Sequence, residues 1–217
     1  MPFSEASLAQ ARHKMEIEVQ RFFKDSALKL ELRSDWGSQN DSYRNKIRSY
    51  IYHEISMDAD FMNLEITPNP ADWAISISHC RDLGGIFWRP RTTENSSSLG
   101  FDLELNLRCK AEVMGRVSTP EEMSEAPSMA ALWTAKEAAF KAIPRMSQPA
   151  SVSQIQIGLW KKLPSAEAEN ITRSDCWQWE VLSIKGDKEG HTPGIVICQS
   201  DHTFAFTLKS FTTGRLK

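Results

Sequence analysis

The stretch F-D-L-E-L, residues 101–105, places two acids two positions apart in a run that alternates apolar and polar. That period belongs to a β-strand, whose neighbouring side chains point to opposite faces. Phe101, Leu103 and Leu105 then share one face, and Asp102, Glu104 and Asn106 the other. Two carboxylates side by side repel each other unless a cation sits between them. Magnesium suits that place, because it takes a few hard oxygen ligands and fills the rest of its shell with water or phosphate. Alone, D-x-E on a strand is more simply a solvated polar face, so the pair gains meaning only from what joins it.

A second stretch, W-T-A-K-E-A-A-F-K at 133–141, reads as a helix that Pro144 ends. At about 100° per residue, Leu132, Ala135, Ala139, Phe140 and Ile143 fill one arc, and Trp133, Glu137 and Lys141 run along its flank. Glu137 can supply a third carboxylate. Lys141, one turn on, can meet a phosphate oxygen as a point charge. The plainer reading is an exposed Glu–Lys pair worth a few tenths of a kcal/mol. Lys136 falls inside the apolar arc, where an unpaired charge is costly. It needs a partner, and Asp102 or Glu104 is the expected one. A third stretch, I-S-I-S-H, ends at His79, which at a strand end can donate to a phosphate or, more simply, close a structural hydrogen bond.

The elements that must hold these residues follow from periodicity and breakers. Residues 4–24 read as an amphipathic helix with Leu8, Met15, Val19, Phe22 and Phe23 on its apolar side. Residues 27–32 read as a strand, 34–42 as a loop, and 43–55 as a helix with Ile47, Ile51 and Ile55 on one stripe and Arg44 and Arg48 on another. Strands are expected at 61–66, 73–78 and 84–90, the last after a hairpin marked by Gly84-Gly85. A polar connection at 92–98 carries the boundary between two lobes. Beyond it come a strand at 99–107 and a short helix, with Thr119 as cap, Pro120 in the first turn and Glu121 and Glu122 at the positive dipole end. Pro127 interrupts that helix, and Ser128 can cap the one bearing Lys136. Strands at 152–160, 176–185, 194–200 and 203–211 form an antiparallel meander, with loops at 164–170 and 185–194. The expected fold is α+β, a pseudo-dimer of two similar lobes, 1–98 and 99–217, each a long helix packed on a small antiparallel sheet.

Composition narrows the function. The chain has 217 residues, a formal charge of −2 and a pI of about 6.2, which does not suit a general nucleic-acid binder. No apolar run approaches membrane-spanning length, and the charged first twenty residues do not read as a secretory signal. Cys80, Cys109, Cys176 and Cys198 form no C-x-x-C pair and read as free thiols of a cytoplasmic protein.

Ser78-His79, then G-F-D-L-E at 100–104, then W-T-A-K-E-A-A-F-K at 133–141 occur in one order. Together they resemble the 4′-phosphopantetheinyl transferase family, whose pattern is an S-H dipeptide after an apolar strand, G-[IVF]-D-[IVL]-E, and W-[STC]-x-K-E-[AS]-x-x-K. The length and the two similar halves resemble its larger, surfactin-type branch. The resemblance implies transfer of the phosphopantetheine arm of coenzyme A to a serine of an apo acyl or peptidyl carrier protein, with release of 3′,5′-ADP. It implies magnesium held by Asp102, Glu104 and Glu137, with Glu137 also able to take the serine proton. It gives Lys141 the phosphates, His79 with Ser78 a CoA phosphate, and Arg44 a basic CoA contact. It makes Lys136 a brace for the carboxylates. A monomer suffices, since two lobes in one chain can build the site.

One departure is plain. Family members commonly carry G-K-P before the S-H strand, and here the stretch is E-I-T-P-N-P-A-D, without a lysine. That leaves either lower affinity for CoA or substitution by Arg44, Arg48 or Arg81. Two other readings use the same residues. One is a catalytically inactive module of this family that binds CoA or a carrier protein. The other is a magnesium-dependent phosphohydrolase on an unrelated fold, for which the sequence offers no separate nucleophile or water-activating base.

Overall fold

The computed structural model describes residues 5–55, 73–91, 97–164 and 175–209. The strand expected at 61–66 lies outside them, as do most of the connections expected at 92–98 and 164–170. The chain divides into two compact units, Met1–Thr93 and Glu94–Lys217.

In the first unit, helix α1 (Glu5–Phe23) buries Leu8, Met15 and Val19 of the expected stripe, while Phe22 and Phe23 are only half-buried. Strand β1 (Lys29–Arg33) buries Leu30 and Leu32 between exposed or half-buried polar neighbours. Glu16 of the helix accepts from the Leu30 N–H at 2.8 Å, and Gln20 donates to the Leu28 carbonyl at 2.7 Å, so side chains tie α1 to β1. Helix α2 (Tyr43–Tyr50) runs into a π-helical turn at Ile51–Ile55. Its Ile47, Ile51 and Ile55 stripe packs with Trp36, Ile75 and Ile86. Strands β2 (Trp73–His79) and β3 (Gly84–Pro90) form an antiparallel hairpin, and the sheet order is β1–β3–β2.

The second unit starts with strand β4 (Ser98–Leu105) and continues through α3 (Ala111–Met114), α4 (Pro120–Glu125) and α5 (Met129–Ala142). Strands β5 (Ile155–Lys162), β6 (Asp175–Ile184), β7 (Asp187–Lys188), β8 (Pro193–Cys198) and β9 (His202–Lys209) follow. The antiparallel sheet has the order β4–β9–β8–β6–β5, with β7 paired to β6. Asp102 stands opposite Ala205 and Glu104 opposite Thr203. Ala131, Ala135, Ala138 and Ala139 of α5 share a core with Val196 and Ala205 of the sheet. Small side chains at that seam let helix and sheet come close: a Cβ built on Gly100 would lie 1.9 Å from the Ala138 carbonyl oxygen.

Four details depart from the sequence reading. The strand expected to reach Leu107 ends at Leu105, and a 3-10 turn, Asn106–Arg108, follows. There the Asn106 side chain donates to the carbonyls of Gln199 at 3.0 Å and Ser200 at 3.1 Å and accepts from Thr203 at 2.7 Å, replacing ladder bonds. Helix α3 is too short to show a period. The loop expected at 185–194 contains the β6–β7 hairpin, turned by Lys185 (φ 54°) and Gly186 (φ 87°), as a primed turn requires. Finally, β5 is irregular. Its register slips between Gly158 and Lys161, and Leu159 takes φ 56° with an exposed side chain. The class is mixed helix and antiparallel sheet, α+β. Among the described residues no helix is long and apolar enough to cross a membrane.

Candidate functional site

In the first unit the opening of α2 meets the end of β2. Tyr43 and His79 stack with ring centroids 4.6 Å apart. Arg44 donates from Nε to the Tyr43 hydroxyl at 2.9 Å, and its guanidinium carbon lies 5.6 Å from that ring's centroid. Arg44 and His79, both expected from sequence, are thus joined through Tyr43, which was not. The signal for Tyr43 was its place beside Arg44 at the helix start, with nothing in the chain to show that His79 returns there. Ser78, the third member, is buried opposite Gly85 in the hairpin, whereas His79 is exposed.

In the second unit β4 and α5 bring Asp102, Glu104, Glu137 and Lys141 together. Asp102 is buried, and Lys141 Nζ lies 2.7 Å from its Oδ1 and 3.2 Å from the Phe101 carbonyl. Glu104 Oε1 accepts from the Leu105 N–H at 2.9 Å and from Arg108 at 3.3 Å. Burial pushes the Glu104 carboxyl up; Asp102 adds to the rise, while the Leu105 N–H, Arg108 and Lys141 oppose it. Burial also pushes Glu137 up, Asp102 and Glu104 add to it, and Lys141 opposes it. These electrostatic couplings place three carboxylates and one ammonium in one neighbourhood. Cys109 borders it, with its thiol pushed up to about 12 by burial and then by Glu104 and Asp102. A thiol held protonated is a poor nucleophile and a poor metal ligand. Carboxylate oxygens are the hard donors that magnesium prefers, so the residue types fit that ion, although the oxygens of Asp102, Glu104 and Glu137 do not all lie within 4.8 Å of one another.

Lys136 does not join this group, which corrects the expectation that it braces Asp102 or Glu104. It is fully buried, with Nζ 2.8 Å from Glu122 Oε1 and 3.0 Å from Oε2, and it donates to the Ile155 carbonyl at 2.5 Å. Successive helical residues diverge by about 100°. With Glu137 turned toward β4, Lys136 is turned toward α4 and β5. Glu122 also accepts from the Thr119 N–H at 2.9 Å and the Ile157 N–H at 2.8 Å. Thr119 accepts from the Glu122 N–H at 3.3 Å, completing a capping box. The sequence reading gave Glu122 only a dipole role, although Thr119 and Glu122 stand at capping-box spacing.

A carboxylate whose folded pKa is raised binds its proton more tightly folded than unfolded. Its charge therefore costs stability, and that cost grows as pH rises from the ordinary glutamate range through the raised value. Glu137→Gln removes the cost, so the variant is expected to melt above the wild type at pH 7. The gap should close as Glu137 becomes protonated in acid. Thermal melts of both proteins between pH 4 and 7 check this, and a variant that melts lower at pH 7 would contradict it.

No family model matches this chain, and no curated protein matches it.

Proposed function

We propose that the chain is a magnesium-dependent 4′-phosphopantetheinyl transferase that loads an apo acyl or peptidyl carrier protein from coenzyme A. The observation that carries this reading is the meeting of Asp102 and Glu104 on β4 with Glu137 and Lys141 on α5, with Lys141 Nζ 2.7 Å from Asp102. It is supported by the order of the three motifs in the sequence.

In the reaction the carrier serine oxygen attacks the phosphorus that bears the pantetheine arm. The new O–P bond forms as the bond to 3′,5′-ADP breaks. Asp102, Glu104 and Glu137 would hold the magnesium, which would supply positive charge against that growing on the pyrophosphate. Glu137 accepts the serine proton, a task that its raised pKa suits. Lys141 offers its ammonium to phosphate oxygens and can return a proton to the departing ADP. His79, Ser78 and Arg44 contact CoA. The two-lobed pseudo-dimer, a cytoplasmic location, a monomeric state and the absence of nucleic-acid or membrane partners belong to this same reading.

The test is intact-mass spectrometry of apo carrier proteins incubated with the protein, CoA and magnesium. A gain of one phosphopantetheine arm is expected, abolished by EDTA and by Glu137→Gln. A second reading, an inactive module that binds CoA or a carrier, draws on the missing G-K-P lysine. CoA binding with no mass gain on any carrier would decide for it.

A further inference from the structure

Two of the bonds that Lys141 makes are not explained by phosphate contact alone. Its ammonium sits 2.7 Å from Asp102 Oδ1 and 3.2 Å from the Phe101 carbonyl, while its side chain keeps 28% of its surface exposed. It is thus bound to the acid most buried in the cluster yet retains a route to solvent. We propose that Lys141 is a resident counter-ion of Asp102 that competes with the divalent metal for that carboxylate. Metal and phosphate ligand then enter the site together. The proposal rests on the transferase reading for the identity of the metal site, and it assigns Lys141 a role in metal loading.

The argument is electrostatic. A dication drawn to Asp102 and Glu137 meets the charge of an ammonium already held there, and the two repel. Lys141 must lengthen or break its bond to Asp102, which takes a charged acceptor from its ammonium. A phosphate oxygen provides one, so phosphate tightens metal binding. By linkage, metal tightens phosphate binding by the same factor. Arg108 pairs with Glu104 at 3.3 Å and is itself largely exposed, so its charge is screened more than that of Lys141.

The probe is Mn2+, titrated into the full-length protein without CoA or carrier, with free Mn2+ read by electron paramagnetic resonance. Lys141→Met is expected to bind Mn2+ on the order of tenfold more tightly than the wild type. Lys141→Gln, a second neutral variant, should behave alike, so a packing defect in one does not decide the result. Lys141→Arg keeps the charge and should stay near the wild type. Asp102→Asn combined with Lys141→Met should lose the gain. Equal or weaker binding in both neutral variants overturns the proposal, as does failure of the wild type and both neutral variants alike to bind Mn2+. Carrier loading by the wild type is judged separately: if it persists while the Mn2+ series fails, the transferase reading stands and the counter-ion role falls. If the series succeeds and no carrier is loaded, the transferase reading alone fails.

Discussion

Replacing Glu122 by alanine is expected to destabilise the second unit by about 3–5 kcal/mol, the usual cost of orphaning one partner of a buried ion pair. A typical domain has about 5–15 kcal/mol in all, so this is a large share. The loss has identifiable parts. The Lys136 ammonium keeps the Ile155 carbonyl but loses both carboxylate oxygens, and the N–H groups of Thr119 and Ile157 lose their acceptors. Glu122→Gln combined with Lys136→Met removes both charges and leaves an amide oxygen for one of those N–H groups. It should recover most of the loss, because burying an ion pair is itself costly. Urea denaturation of the wild type, Glu122→Ala and the double variant checks this. A single-variant cost below about 1 kcal/mol would refute it, as would a double variant no more stable than Glu122→Ala. The pH dependence has a definite sign. Burial holds the Lys136 pKa below its ordinary value of 10.5, with Glu122 opposing. Between the lowered folded value and the ordinary one, the unfolded chain holds more protons, so Lys136 contributes a rise in stability with pH across that alkaline window.

The second large effect is expected from Gly100→Ala. The new methyl would meet the Ala138 carbonyl oxygen at 1.9 Å, and a backbone atom inside α5 cannot rotate away as a side chain could. Helix and strand must separate, at a cost of about 3 kcal/mol by analogy with overpacked cores. The displaced turn is the one that carries Glu137, so its distance from Asp102 changes too. Under the proposed transferase reading, misplacing Glu137 by about 1 Å would lower the rate by about 100-fold. Thermal melts and Mn2+ titration of the variant should therefore fall together. Gly115→Ala is the control, because a Cβ there meets nothing nearer than 3.5 Å and the backbone is helical. If Gly100→Ala melts and binds metal like the wild type, the close approach is not what places Glu137.

Much of the local structure around the candidate site was legible in the sequence because it is built from local patterns. The alternation in F-D-L-E-L fixed the common face of Asp102 and Glu104, and Ser128 and Pro144 bounded α5 as their chemistry requires. The partner of Lys136 was not legible, for a physical reason. Ala130, Ala131, Leu132, Thr134, Ala135, Ala138, Ala139 and Ala142 are all buried, so α5 is enclosed over most of its circumference. An apolar arc then says that Lys136 is inside without saying whether it faces β4 or β5. Nor could the sequence bring Tyr43 to His79, since their contact depends on how α2 docks at the end of β2. The 3-10 turn after β4 was hidden because Asn106 bonds to carbonyls more than ninety positions away.

The irregularity of β5 has a consequence for how the protein behaves at high concentration. Among the described strands β5 lies at an end of the sheet, and a regular end strand is a template on which another chain can extend the ladder. Here the slip between Gly158 and Lys161, with Leu159 at φ 56°, interrupts the row of backbone donors and acceptors, and Lys161 and Lys162 put charge just beyond it. An incoming strand would find neither a continuous register nor an uncharged border. The left-handed backbone at Leu159 thus serves solubility, discouraging fibrillar growth from the edge of the sheet opposite Asp102.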